Sequence, residues 1–123
     1  MITISQVKNI GREITGLKIT TNRFENTAFF FDNRKAHYIN INRKQLQNIY
    51  TLYSWSYLRY GIDNRGIYLQ ALLHEIAHYK QYKKCGGYHW EEEYNNNPNY
   101  YEKVANRYST RYYKLIRDSI TKG

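Results

Sequence analysis

The chain has one cysteine and one proline among its 123 residues. A lone thiol, Cys85, excludes an internal disulfide and fits a reducing compartment. A single proline with only seven glycines argues against a disordered or low-complexity chain. No apolar run approaches the ~20 residues that cross a bilayer. The start, Met1-Ile2-Thr3-Ile4-Ser5-Gln6, carries no basic segment leading into a long apolar one, so no secretory signal is visible. These absences predict an intracellular, cytoplasmic protein with no membrane partner. Acidic side chains are scarce too: 10 Asp and Glu stand against 19 Lys and Arg, a net charge of +9. The cations are dispersed over Arg34-Lys35, Arg43-Lys44, Lys80, Lys83-Lys84, Lys103, Arg107, Arg111, Lys114 and Arg117. Such a surface attracts polyanions in general, which makes nucleic acid a candidate partner without singling it out.

What the chain does have is tyrosine. Fifteen Tyr accompany four Phe and two Trp, within a hydrophobic share of 41%. A tyrosine buries its ring and keeps a wet hydroxyl, so the core should be broad and partly polar. The length suits one domain with a modest core, and no internal repeat or linker divides it.

Local patterns place the elements. Thr3 with Gln6 forms a capping-box pair, Val7, Ile10 and Ile14 share a face, and Gly16 can stop the helix. Leu17–Asn22, Thr27–Asp32 and His37–Asn42 are rich in Ile, Thr, Phe and Tyr, with turns at Glu25-Asn26 and Asn33-Arg34-Lys35. Their short connections predict an antiparallel three-stranded meander. Asn42 and Gln45 can cap a second helix bearing Leu46, Ile49, Tyr50, Tyr53 and Tyr57, which Gly61 ends. A third helix should begin at Asp63 or Asn64 and close at Gly86-Gly87. Tyr88–Asn97 reads as a polar loop. Asn97-Pro98 restarts a helix to about Asp118, with Tyr101, Val104, Ala105, Tyr108, Tyr112 and Leu115 as its apolar stripe. The expectation is a single α+β domain over 1–123. Its first part, 1–42, holds a helix and the sheet; its second, 43–123, is helical.

The third helix carries the chemistry. Its centre is His74-Glu75-Ile76-Ala77-His78, preceded by Leu72-Leu73. Four helical residues advance about 6 Å and turn about 400°, so both imidazoles leave one side, a turn apart. Two ring nitrogens so placed can reach one Zn²⁺ at roughly 2.0–2.1 Å. Glu75 then stands beside the metal, where a base for a metal-activated water belongs. Two histidines at this spacing alone would be weak evidence; the intervening Glu and the Leu-Leu before it make chance the poorer account.

A catalytic zinc normally takes three protein ligands and leaves a place for water. Glu102 lies one turn into the last helix and shares a face with Ala105, whose small side chain permits close packing, and with Asn106, which can orient an imidazole. Against this, Glu102 has a bland role as a solvated carboxylate near a helix N-terminus. His89 is the alternative metal ligand, and an all-histidine set is equally sound chemically. Glu91, Glu92 and Glu93 read as a solvated run, and His37 as a packing or rim group.

On Ile39-Asn40-Ile41-Asn42, Leu72-Leu73-His74-Glu75-Ile76-Ala77-His78 and Glu102-Lys103-Val104-Ala105-Asn106, residues 37–117 resemble the gluzincin metallopeptidases, in particular the very small minigluzincins. The glutamate helix is also similar to that of certain regulatory peptidases. The resemblance implies that His74, His78 and Glu102 hold zinc, that Glu75 is the general base and acid, and that Asn106 holds a zinc-bound imidazole in its orientation. This chain has Asn106 where many members have Asp. The resemblance further implies that an extended peptide or unfolded protein pairs with the strand His37–Asn42 taken as an edge.

The resulting expectation is a zinc-dependent endopeptidase. Tyr108, Tyr112 or His89 would supply the donor to the developing oxyanion. A small scaffold offers little depth, so latency through the end Ser119-Ile120-Thr121-Lys122-Gly123 or through self-association is a further expectation. Two rivals stand beside it. One is a basic nucleic-acid-associated protein, or a regulatory protease acting on DNA-bound proteins; abundant Tyr would stack on bases. The other is a zinc-stabilised interaction module without turnover, its shell closed by both His89 and Glu102.

Overall fold

The computed structural model describes residues 2–32 and 34–122, with 121 and 122 described by backbone alone. Helix α1 (Ile4–Thr15) opens on the expected capping box: Thr3 Oγ1 accepts the Gln6 N–H, and the Gln6 side chain accepts the Thr3 N–H. It stops at Gly16, whose φ of 72° is left-handed and suits a residue without Cβ. Strands β1 (Lys18–Thr20), β2 (Ala28–Phe31) and β3 (Ala36–Asn40) follow. Helices α2 (Arg43–Arg59), α3 (Gly66–Lys84), α4 (Trp90–Asn96) and α5 (Pro98–Lys122) complete the chain. The class is α+β, as the patterns predict.

The sheet departs from the meander. Its order is β1-β3-β2, with β1 parallel to β3 and β2 antiparallel to it. Asn40 is the physical reason. Its side chain, wholly buried, accepts from the Thr20 hydroxyl and the Asn22 N–H and donates to the carbonyls of Asn22 and Glu25. Those bonds tie the chain after β1 across the end of β3, so it reaches β2 on the far side. β3 is therefore central, and β2 forms an outer edge. At the β2–β3 turn, Asp32 accepts the backbone N–H groups of Arg34 and Lys35; Asn33 lies outside the described residues.

The core is built around α3. Ile67, Leu69, Leu72, Leu73 and Ile76 are all 0% exposed, because α1, α2, α5 and the sheet cover different sides of that helix. On α5 the buried stripe is Ala105, Ser109 and Tyr113. This is rotated by about a quarter turn from the expected one. Tyr101, Tyr108 and Tyr112 are only half-buried and Leu115 is exposed. Tyrosine rings tolerate the wet flank of a helix, so their spacing overstated what faces inward. The segment expected as a loop contains α4, whose first turn holds Glu91, Glu92 and Glu93 at the end of a helix that favours negative charge. Among the described residues no helix is long and apolar enough to cross a membrane.

Candidate metal centre

His74 and His78 leave the same side of α3 with their Nε2 atoms 3.2 Å apart. From α5, Glu102 meets them both. Its Oε1 lies 2.7 Å from His78 Nε2 and its Oε2 3.2 Å from His74 Nε2. Asn97-Pro98 sets this meeting, since it starts α5 one turn before Glu102. Ala105, wholly buried beside the carboxylate, then lets α5 lie close along α3. Bond lengths of 2.0–2.1 Å to a tetrahedral ion place ligand atoms about 3.3 Å apart. The observed separations of 2.7–3.2 Å are a little shorter than this. The two contacts of Glu102 use different oxygens, and with one ligand atom per residue the three donors lie within 4.8 Å of one another, so side-chain movements alone can bring them onto such an ion.

Each imidazole is held from behind. His78 Nδ1 lies 2.9 Å from Gln81 Oε1. The Gln81 amide nitrogen donates to the Tyr101 carbonyl, which leaves its oxygen to accept from His78 Nδ1–H and keeps the Nε2 lone pair free for a metal ion. Asn106 of α5 stands near enough to His74 to favour its protonated form. Burial and the neighbouring His78 hold the His74 pKa below its ordinary value, with Glu102 and Asn106 opposing. A neutral imidazole is the form that binds metal.

Glu75 stands in the same cleft, outside the ligand trio. Burial, then the charge of Glu102, pushes its pKa up to about 8, while a hydrogen bond from the Phe29 N–H opposes the rise. Phe29 and Glu75 line the same cleft, so β2 runs past the helix at Glu75. The cleft, about 290 Å³, has Ala28, Phe29 and Phe31 of β2 on one wall and Trp90 and Tyr94 of α4 on the other. The Tyr94 hydroxyl donates to Glu102 Oε1 at 3.1 Å.

No protein-family model, curated protein or solved structure matches the chain.

The structure thus brings together His74, His78 and Glu102, with Glu75 beside them and Asn106 behind. It does not bring in His89, which precedes α4 as an exposed residue with its ring edge-on to Tyr88. The rotation of α5 also carries Tyr108 and Tyr112 away; Tyr108 lies beneath Lys80 instead. His37 pairs with Asp32 at 2.8 Å, and Glu93 accepts from the Tyr101 hydroxyl. Sequence reasoning missed Gln81, Trp90 and Tyr94. Gln81 stands one helical turn after His78. Trp90 and Tyr94, four residues apart with three acids between them, carried a short-helix signal that the surrounding run of Asn concealed.

Proposed function

We propose that the chain is a zinc-dependent endopeptidase of the gluzincin kind. The observation that carries this reading is the convergence of His74, His78 and Glu102 beside Glu75, in a cleft walled by an open strand edge. Two imidazoles and a carboxylate suit zinc and leave room for solvent. When bound, the ion supplies the Lewis acidity that makes water and a peptide carbonyl reactive near neutral pH.

The chain's own groups then have distinct tasks. Glu75 takes a proton from the attacking water and returns it to the leaving amine, a shuttle that its place in the cleft beside the histidine pair suits. Gln81 and Asn106 keep the two imidazoles aimed. An extended peptide lies along the outer edge of β2, in place of the central strand β3, because the β2 edge runs past Glu75. Tyr94 replaces Tyr108, Tyr112 and His89 as the hydroxyl or ring within reach of a developing oxyanion.

The exposed position of His89 favours turnover over a closed, non-catalytic zinc module. Latency through the C-terminal end is a poor fit within one molecule. Through Lys122 that end continues α5, about 30 Å along the axis beyond Glu102; Gly123 lies outside the described residues. Any such block would act between molecules.

Metal analysis and turnover of an unfolded protein substrate test the reading together. Wild type and His89→Ala should each retain one zinc per chain, and Glu102→Ala should lose it. Glu75→Gln should retain zinc while activity falls about 10²–10⁴-fold. Full activity in Glu75→Gln, or zinc held equally well without Glu102, would refute the assignment.

A further inference from the structure

A second concavity, about 700 Å³, opens away from the metal centre and shares no residue with it. Thr21, Arg23, Arg43, Lys44, Gln47 and Tyr68 line it. Three cations meet here without an acid among the lining residues. Among the described residues none of the three has a carboxylate at ion-pair distance. The nearby Glu25 is turned away, accepting from Asn22 and from the Tyr38 hydroxyl. Arg43 and Lys44 also occupy the first turn of α2, which contains no acidic residue and where cations are disfavoured. Among the described residues no carboxylate offsets this crowding of like charge.

Two further observations point to what compensates for it. Tyr68 is 6% exposed, and its hydroxyl accepts from Gln47 while its own proton has no acceptor among the described residues. Arg43 lies over the same ring, 5.9 Å from its centroid. The pocket therefore gathers three cations and a hydroxyl proton, with the neutral side chains of Thr21 and Gln47 between them. Phe24, next to Arg23 in the chain, is 97% exposed, the most open large apolar side chain in the protein's described part. Its loop is not loose. Asn40 and Asn42 donate to the carbonyls of Asn22, Arg23 and Glu25, and the Phe24 N–H is bonded to Asn22 Oδ1.

We propose that this face binds single-stranded nucleic acid, with backbone phosphates in the pocket of Arg23, Arg43, Lys44 and Tyr68 and a base stacked on Phe24. Cationic grooves beside open aromatic rings are how single strands are held without sequence preference. Duplex binding would use the same cations and leave Phe24 idle. The inference is independent of the peptidase reading, since it concerns other residues and a binding equilibrium.

Fluorescence anisotropy of a labelled oligothymidylate of roughly 12 nucleotides tests it, with a duplex of equal length as comparison. The triple variant Arg23→Ala, Arg43→Ala, Lys44→Ala should weaken binding tenfold or more and flatten the salt dependence by about 2 in log–log slope, for three phosphate contacts. Phe24→Ala should erase the preference for the single strand and leave the salt slope unchanged. A control triple on α5, Lys103→Ala, Arg107→Ala, Arg111→Ala, removes the same charge elsewhere and should change affinity less than twofold. Lys44→Glu separates function from folding: an acid in the first turn of α2 should raise the melting temperature while lowering affinity. Equal losses from both triples would reduce the effect to dispersed charge and overturn the proposal. So would wild-type-like binding by Lys44→Glu, or no wild-type binding at about 0.1 M salt.

Discussion

At the scale of single residues, Glu75 carries the clearest electrostatic signature. Its pKa of about 8 means that the folded, metal-free chain keeps a proton that the unfolded chain has released. Unfolding then exports a proton, so stability falls as pH rises between the ordinary carboxylate range and about 8. His74 works in the opposite sense but only below its ordinary value of 6.5, since its folded pKa is lowered. Between about pH 6.5 and 8 the carboxyl group acts alone, with a cost of at most about 1.4 kcal/mol per pH unit. Thermal melts of chelator-stripped protein should therefore lose several degrees across that window. Glu75→Gln should remove the loss. Gln81 offers a second residue-scale measurement: Gln81→Leu leaves His78 Nδ1 without its acceptor, and zinc affinity should drop about 10–100-fold with the fold intact. Competition titration against a chelating dye reads this directly.

At the scale of elements, the decisive feature is the order β1-β3-β2. A meander would have placed β2 between its neighbours and hidden the edge that now faces Glu75. One buried amide prevents this. Asn40 satisfies Thr20, Asn22 and Glu25 at once, so removing its wholly buried side chain leaves several part-buried polar groups unpaired. Asn40→Ala should cost on the order of 2–4 kcal/mol, visible as a lowered urea midpoint. The same change should loosen Arg23 and Phe24 on the loop that Asn40 ties. Helix α5 makes a parallel point. Its tyrosines outnumber its small residues, yet Ala105 and Ser109 face α3, because small side chains let two helices approach while tyrosine hydroxyls stay wet on the flank.

At the scale of the molecule, the candidate metal centre bridges two helices distant in sequence. α3 brings the histidine pair and α5 the carboxylate. Occupancy should then clamp the helix pair that forms most of the core's length. Free zinc at about 100 times its dissociation constant should stabilise the fold by about 2.7 kcal/mol, a rise of several degrees in melting temperature that chelator reverses. Glu102→Ala should lose most of that rise while melting as one transition. The net charge of +9 behaves differently at this scale. It is dispersed in the chain, yet folding collects Arg23, Arg43 and Lys44 around one cavity.

The pentapeptide His74–His78, the capping box at Thr3, the stop at Gly16 and the restart at Asn97-Pro98 were all legible in the sequence alone. Each depends on groups within about one helical turn, where backbone geometry follows from residue type. Glu102 and Asn106 were legible as candidates, since their spacing places them on one face of a helix whose start is marked. The tertiary structure decided the rest: which strand is an edge, which side of α5 is buried, that Trp90 and Tyr94 wall the cleft, and that His89 stays outside it. Those outcomes turn on which distant surfaces bury each other and which buried amide finds its partners. Such a balance is set across the whole chain, and local spacing carries no record of it.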